Sequence, residues 1–249
     1  MADRTRIEVT EATWNPITGC SSVSEGCRRC YAARFAKRLA GRYGYPQENP
    51  FAVTVHSDLF GQPGAWRKPR HIFTCSMGDL FHADVPGEAL QRVVRAMAEN
   101  TRHTYMVITK RPERMAAFIR GLHSSLRALL KEILWLGVTV ENQERAEERL
   151  PWLVENWPGL RLACVEPMLG PVDLSPWLGG ERGLDWVICG GETGPGGRTM
   201  DPDHARGLRN ACLEAGVPFY LKHFGGPDKK LTGRTLDGRT WDQMPPYRR

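Results

Sequence analysis

The apolar residues of this chain fall in short unbroken runs set between longer amphipathic stretches. The runs are HIFTCS (71–76), TYMVIT (104–109), LWLGVTV (134–140), LRLACV (160–165), WVIC (186–189) and PFYL (218–221). Runs apolar throughout, rather than alternating, predict strands buried on both faces, as in a parallel sheet covered by helices. A shorter strand is expected between Ile7 and Ile17, ending at Trp14-Asn15-Pro16, and an extended piece over Phe51 to Val55. Between the runs the period becomes helical. Ala32, Phe35, Ala36 and Leu39 share one face. Leu90, Val93, Val94 and Met97 share another, in a helix with Pro86 in its first turn that Asp84 is expected to cap. Further helices are expected through Met115, Phe118 and Ile119, through Leu126, Leu129, Leu130 and Ile133, and from Arg145 to Val154. Asp201-Pro202 opens a last one, with Ala205, Leu208 and Cys212 inward and Gly216 as its stop.

Strand and helix alternate with no linker between them, so the expected fold class is α/β. The specific expectation is one partial β/α (TIM-like) barrel of six to seven parallel strands over residues 1–224, then a polar, basic tail or lid over 225–249. A doubly wound open sheet is the alternative. The barrel is preferred because a polar group recurs at one end of nearly every strand: Asn15, Asp79, Lys110, Glu141, Glu166, Glu192 and Lys222. Enzymes of β/α-barrel type build their sites at the C-terminal rim, from several strand ends. Residues 1–6 are polar and expected to fray.

Chemistry concentrates in TWNPITGCSSVSEGCRRCYAARFAKR (13–38), where Cys20, Cys27 and Cys30 occupy one eleven-residue span. The other four of the seven cysteines are scattered singly through apolar segments. Cys27 and Cys30 stand at the mouth of a helix, whose outward N–H groups favour thiolate. Three ligands, not four, suit a metal site with an open position, such as a four-iron cluster with one iron left for a small molecule. The alternatives are a Cys-x-x-Cys redox pair, or a structural zinc site completed by Cys75 or a histidine such as His82. His56, His71, His103 and His123 have no ligand spacing.

The 249 residues carry 34 Lys and Arg against 28 Asp and Glu, a formal net charge of +6, which permits a nucleic-acid partner without demanding one. Trp66, Arg67, Lys68 and Arg70 could contact nucleic acid by phosphate neutralisation and base stacking, or form only a solvated loop. With no leader pattern and no long apolar run, the chain reads as cytoplasmic and without a membrane partner.

These features together resemble the radical S-adenosylmethionine (SAM) superfamily, a partial β/α barrel with a three-cysteine loop after its first strand. More closely, TWNPITGC, GCRRCYA, SMGDLF, TKRPER, GVTVEN, VEPMLGP, VICGGETG, PFYLKHFG and LDGRTWDQMP look like the phage and bacterial three-Cys-motif family of unknown function. Six residues separate Cys20 from Cys27 where the superfamily has three, and Arg29 stands where it has an aromatic.

The resemblance implies a 4Fe-4S cluster on Cys20, Cys27 and Cys30. SAM would bind the fourth iron, and an electron donor would drive its reductive cleavage to abstract a substrate hydrogen. Ser76, Gly78 and Asp79 would face the methionyl amine, and Glu141 and Asn142 the ribose. Gly190, Gly191 and Glu192 could bind adenine or substrate, with Lys110 and Glu166 also on the rim. Glu192 and Lys222 are the candidate catalytic residues, and the preferred substrate class is DNA, RNA or a nucleotide. Two other readings compete: a nucleic-acid-binding protein with a structural metal, and a barrel enzyme that uses the rim carboxylates without iron.

Overall fold

The computed structural model describes residue 5 and residues 7–247. The expected fraying over 1–6 lies, apart from Thr5, outside them. Seven strands form the main sheet: β1 Ala12–Trp14, β2 His71–Thr74, β3 Thr104–Thr109, β4 Leu134–Thr139, β5 Arg161–Val165, β6 Trp186–Cys189 and β7 Phe219–Leu221. Their spatial order is their chain order. A doubly wound sheet reverses its order at a switch point, and this one does not. The pairing is parallel, with Ala12 opposite Ile72, His71 opposite Thr104, Leu162 opposite Trp186 and Val187 opposite Phe219. The fold is α/β, a partial β/α barrel of seven parallel strands.

Among the described residues, six helices of eight or more residues lie between successive strands other than β5 and β6: α1 Tyr31–Arg38, α2 Gly87–Glu99, α3 Pro112–Arg120, α4 Ser124–Ile133, α5 Gln143–Asn156 and α6 Pro202–Glu214. Parallel neighbours need such crossovers, because a two-residue turn cannot return the chain to the same end. The chain divides into two compact units, one of Met1–Ser22, Ala32–Leu136 and Tyr247–Arg249, the other of Val23–Tyr31 and Gly137–Pro246.

In the first unit, Leu90, Val93, Val94 and Met97 of α2 are all buried, as their spacing requires, with Met115 and Ile119 of α3 and Leu130 and Ile133 of α4. Trp14 is buried in β1, and its indole N–H donates to the Leu59 carbonyl at 2.8 Å. Asp84 does not cap α2. The helix starts at Gly87 behind Pro86, with no side-chain cap, and the Asp84 N–H turns back to His82 Nδ1 at 3.1 Å. His71 is packed against the rings of Trp135 and Tyr247, with centroids 4.4 and 4.9 Å away. Burial pushes its imidazole down to about 4.

In the second unit, Ala146, Leu150 and Leu153 of α5 and Ala205, Leu208 and Cys212 of α6 are buried. The Asp201 side chain caps α6 by accepting from the Asp203 N–H, and Gly216 ends the turn beyond it at φ +69°. The segment past β7 pairs with it. Leu221 N–H donates to Trp241 O at 2.8 Å, Gln243 N–H to Phe219 O at 3.2 Å, and Asp242 bridges antiparallel to Tyr220. Trp241 is buried, and the guanidiniums of Arg209 and Arg239 lie 4.8 and 4.2 Å from its ring centre. A two-stranded hairpin precedes it and turns at Asp237-Gly238, both at positive φ. That is the dipeptide and backbone of a two-residue hairpin turn.

Candidate functional site

The first unit holds Cys20 and the ends of β1, β2 and β3. Asn15, just past β1, accepts from Ser76 Oγ at 3.2 Å and Met77 N–H at 3.0 Å. Gly78 lies against Gly19, the residue before Cys20. A Cβ on Gly78 would stand 2.8 Å from the Gly19 carbonyl, so the close approach needs glycine. Asp79 is buried, and its carboxylate accepts from Phe81 N–H (2.9 Å), Thr109 Oγ (2.7 Å) and Lys110 N–H (3.1 Å). It therefore clasps the end of β2 to the end of β3, through the Lys110 backbone.

Arg111 stands 3.7 Å from Asp79 and also reaches the cysteine loop. Its Nη1 lies 3.7 Å from Cys20 Sγ, and its Nη2 donates to Ser21 Oγ and the Ser21 carbonyl at 2.9 and 3.2 Å. A cation against the sulfur suits a thiolate ligand. Ser21 Oγ also lies 2.7 Å from His82 Nε2. Because His82 Nδ1 accepts the Asp84 N–H, the ring proton belongs on Nε2, which donates to Ser21. Burial, then Arg111, pushes the imidazole below its ordinary range and keeps it neutral. His82 therefore positions Ser21 and does not activate it.

The second unit holds Cys27, Cys30 and the ends of β4 to β7. Glu141, past β4, is 0% exposed. Its Oε1 accepts from Ser24 Oγ at 2.5 Å, and its Oε2 pairs with Arg149 of α5 at 2.9 Å, itself 1% exposed. Gly26 packs on the same side chain, where a Cβ would meet Glu141 Cγ at 2.6 Å. Glu141 thus anchors the loop segment bearing Cys27. Asn142 is engaged in helix capping, its Oδ1 accepting the Arg145 N–H at 3.0 Å.

Past β5, Glu166 is gripped by Lys222 Nζ at 2.6 and 2.9 Å and approached by His223 Nε2 at 3.3 Å. Burial works to raise the Glu166 carboxyl, but Lys222 and His223 outweigh it and hold it at about 2. A carboxyl depressed from an ordinary 4.5 contributes stability that is present above that value and lost as pH falls toward 2. Acid denaturation should therefore steepen between those pH values. In Glu166→Gln that stretch should flatten in a urea-midpoint titration, and an unchanged profile would refute the coupling.

Past β6, Gly190 N–H donates to Val165 O at 3.0 Å and Gly191 N–H to His223 O at 2.9 Å. Gly191 lies so near the chain that a Cβ would sit 2.2 Å from the Phe224 carbonyl. Glu192 is buried and holds two arginines, Arg198 at 2.8 and 3.0 Å and Arg29 at 3.2 Å. Burial opposes its ionisation, and Arg198 followed by Arg29 overcomes it. Arg29 stands between Cys27 and Cys30, so Glu192 is a second anchor for their segment.

The sequence candidates thus fall into contacts within each unit. Ser76, Gly78, Asp79 and Lys110 form one group with the approach to Cys20. Glu141 and Glu192 hold the segment carrying Cys27 and Cys30, while Glu166 and Lys222 hold each other. Sequence reasoning missed Arg149, Arg198 and the parts that Arg111, Ser21 and Arg29 play at the cysteine loop. Of these, Arg111, in TKRPER, and Ser21 and Arg29, in the cysteine stretch, lay in motifs it had singled out.

Trp66 needs correction as a stacking platform. It is 6% exposed, its carbonyl is held by Arg102 at 2.9 Å, and Arg70 and His103 lie against its ring, so it presents no open face to a base. Arg67 and Lys68 beside it are exposed.

All seven cysteines are thiols, and Cys20, Cys27 and Cys30 are the three that are only part-buried. Burial pushes Cys75 and Cys212 up to about 12 and raises Cys189 well above its ordinary value. No group of three or more His, Cys, Asp or Glu among the described residues is already arranged to hold a metal. The donor set nevertheless fits an iron–sulfur cluster in kind: three accessible thiols on one loop, a cation beside Cys20, and two anchors on the rest. Neither Cys75, a buried thiol, nor His82, whose Nε2 serves Ser21, is offered as a fourth ligand for structural zinc.

Residues 4–245 match a family model described as Protein of unknown function (DUF5131). The chain belongs to this family. The DUF5131 match runs through the cysteine loop, all seven sheet strands and the Trp241 segment. No curated protein matches the chain. Among solved structures it is similar to a cysteine-to-serine mutant of spore photoproduct lyase, at 12% identity and a TM-score of 0.47, over 84% of this chain. The chain spans 62% of that structure's length. No helix among the described residues is long and apolar enough to cross a membrane.

Proposed function

We propose that this DUF5131 protein is a radical SAM-type enzyme. The supporting observation is the contrast among its cysteines: three part-buried thiols on the loop after β1, and four buried elsewhere. Cys20, Cys27 and Cys30 would hold a 4Fe-4S cluster. When bound, it supplies the electron, taken from a reductant, that splits SAM into methionine and a deoxyadenosyl group able to take a substrate hydrogen.

The chain's own work is positional. Arg111 sets its charge against Cys20 and fixes Ser21. Ser24, bonded to Glu141, and Arg29, bonded to Glu192, fix the segment bearing Cys27 and Cys30. Gly190 and Gly191 serve close packing, since the Glu166 side chain lies against the one and the Phe224 carbonyl against the other. Asp79, Glu141 and Glu192 are already engaged, so their part is to shape the loop more than to touch SAM.

The test is anaerobic reconstitution with iron and sulfide, reduction with dithionite, addition of SAM and chromatography of the products. 5′-Deoxyadenosine and methionine are expected. Their absence with the cluster spectroscopically intact would remove the radical reading.

A further inference from the structure

We propose that the outward face of α1 and the turn after it form a docking surface for single-stranded nucleic acid. The sequence has no acidic residue between Glu25 and Glu48, while Arg28, Arg29, Arg34, Lys37, Arg38 and Arg42 fall in that interval. In the first unit, Ala32 and Ala36 of α1 are buried, which turns the rest of the helix outward. Phe35 is 51% exposed, although its ring is the largest apolar group on the helix. Lys37, Arg38 and Arg42 are exposed around it. The Arg38 guanidinium lies 5.5 Å from the Phe35 ring centre, and Arg42 donates to the Arg38 carbonyl at 2.6 Å, which keeps both cations over the end of the helix.

Tyr43 adds an independent observation. It is 78% exposed and sits at φ +54°, between Gly41 and Gly44, which are also at positive φ. A bulky L residue in the left-handed region costs conformational energy, and glycine would remove that cost. Nothing in the core needs the ring, because it is Tyr45, two residues on, that is buried. Strain maintained for an exposed side chain points to a task outside the fold.

Two exposed flat rings interleaved with cations, on a stretch whose own sequence carries no carboxylate, match a strand of unpaired bases. The cations neutralise phosphates, and the rings accept stacked bases. A duplex hides those base faces. A membrane would need a broad apolar stripe, and the small apolar side of α1 is turned into the protein. The inference rests on the radical reading only for what would follow docking.

Binding of short fluorescent single-stranded DNA and RNA, of the matching duplexes and of phosphatidylserine vesicles should be measured with the full chain, without SAM or reductant. Single strands are expected to bind, more weakly as salt rises, with DNA and RNA arms reporting which sugar is preferred. Phe35→Ala should weaken binding about fivefold or more. Lys37→Ala should reduce the log–log salt slope by about 0.7. Tyr43→Gly should weaken binding while raising the thermal midpoint, a pair of opposite effects that general damage to the fold does not produce. The proposal is overturned by no binding to either single strand, by binding to duplex or vesicles alone, or by Phe35→Ala and Tyr43→Gly that bind normally. Since no SAM is present, failure here leaves the radical reading standing, and a protein that forms no deoxyadenosine leaves this surface standing.

Discussion

Alanine at Cys27 is expected to give a colourless protein that retains no stoichiometric iron and forms no 5′-deoxyadenosine. Wild type, reconstituted in parallel, should be brown and bind about four irons. Loss of one of three protein ligands leaves two, since Cys75 is a buried thiol and His82 is engaged with Ser21. Cys20→Ala and Cys30→Ala should behave alike. Cys212→Ala is the control, since that thiol is buried on α6, and should keep its colour. Iron, sulfide and the visible spectrum, measured beside product formation, distinguish a lost cluster from an inactive one. A Cys27→Ala protein that keeps its iron, or a wild type holding one zinc instead, would sink the assignment.

The second large effect concerns the anchor of that loop. Arg149→Met should destabilise the protein by about 3–5 kcal/mol, because it leaves the Glu141 carboxylate sealed without its counter-charge. Adding Glu141→Gln should recover part of the loss, since an amide is cheaper to bury than an unpaired charge. Urea denaturation of the two single variants and the double gives the coupling directly. Glu141→Gln alone weakens the hold on Ser24, so its cluster should be lost faster to a chelator than that of wild type. If Arg149→Met lies within about 0.5 kcal/mol of wild type, the typical range for harmless surface changes, the buried pair is not what fixes the loop.

Much of the scaffold was legible because its strands are buried on both faces. HIFTCS, TYMVIT and WVIC have no polar side to disguise them, and Asp201-Pro202 announces α6 in two residues. Asp84 misled because a good capping residue near a helix start is only a local signal, and His82 competes for its backbone. Trp66 misled for a longer-range reason. Its neighbours Arg67, Lys68 and Arg70 read as a solvated loop, but far along the chain Arg102 holds the Trp66 carbonyl and His103 lies edge-on to its ring, and Arg70 lies over the indole. The three-cysteine loop was legible from spacing alone. Its supports were not: Arg149 and Arg198 look like ordinary surface charges until folding brings Glu141 and Glu192 to them, and nothing in a helical charge pattern distinguishes a sealed arginine from a solvated one.

An incomplete barrel has an unsealed margin, and β7 lies at one end of the strand order. A bare edge strand offers its unpaired N–H and C=O groups to any other chain and is a template for aggregation. Here Trp241, Asp242 and Gln243 run antiparallel along β7 and take up those groups, Trp241 is clamped between two arginines, and Trp186 donates its indole N–H to the Gln243 carbonyl at 2.9 Å. The polar closing stretch of the chain thus acts as a selvedge. It covers the margin of the seven-stranded sheet on that side.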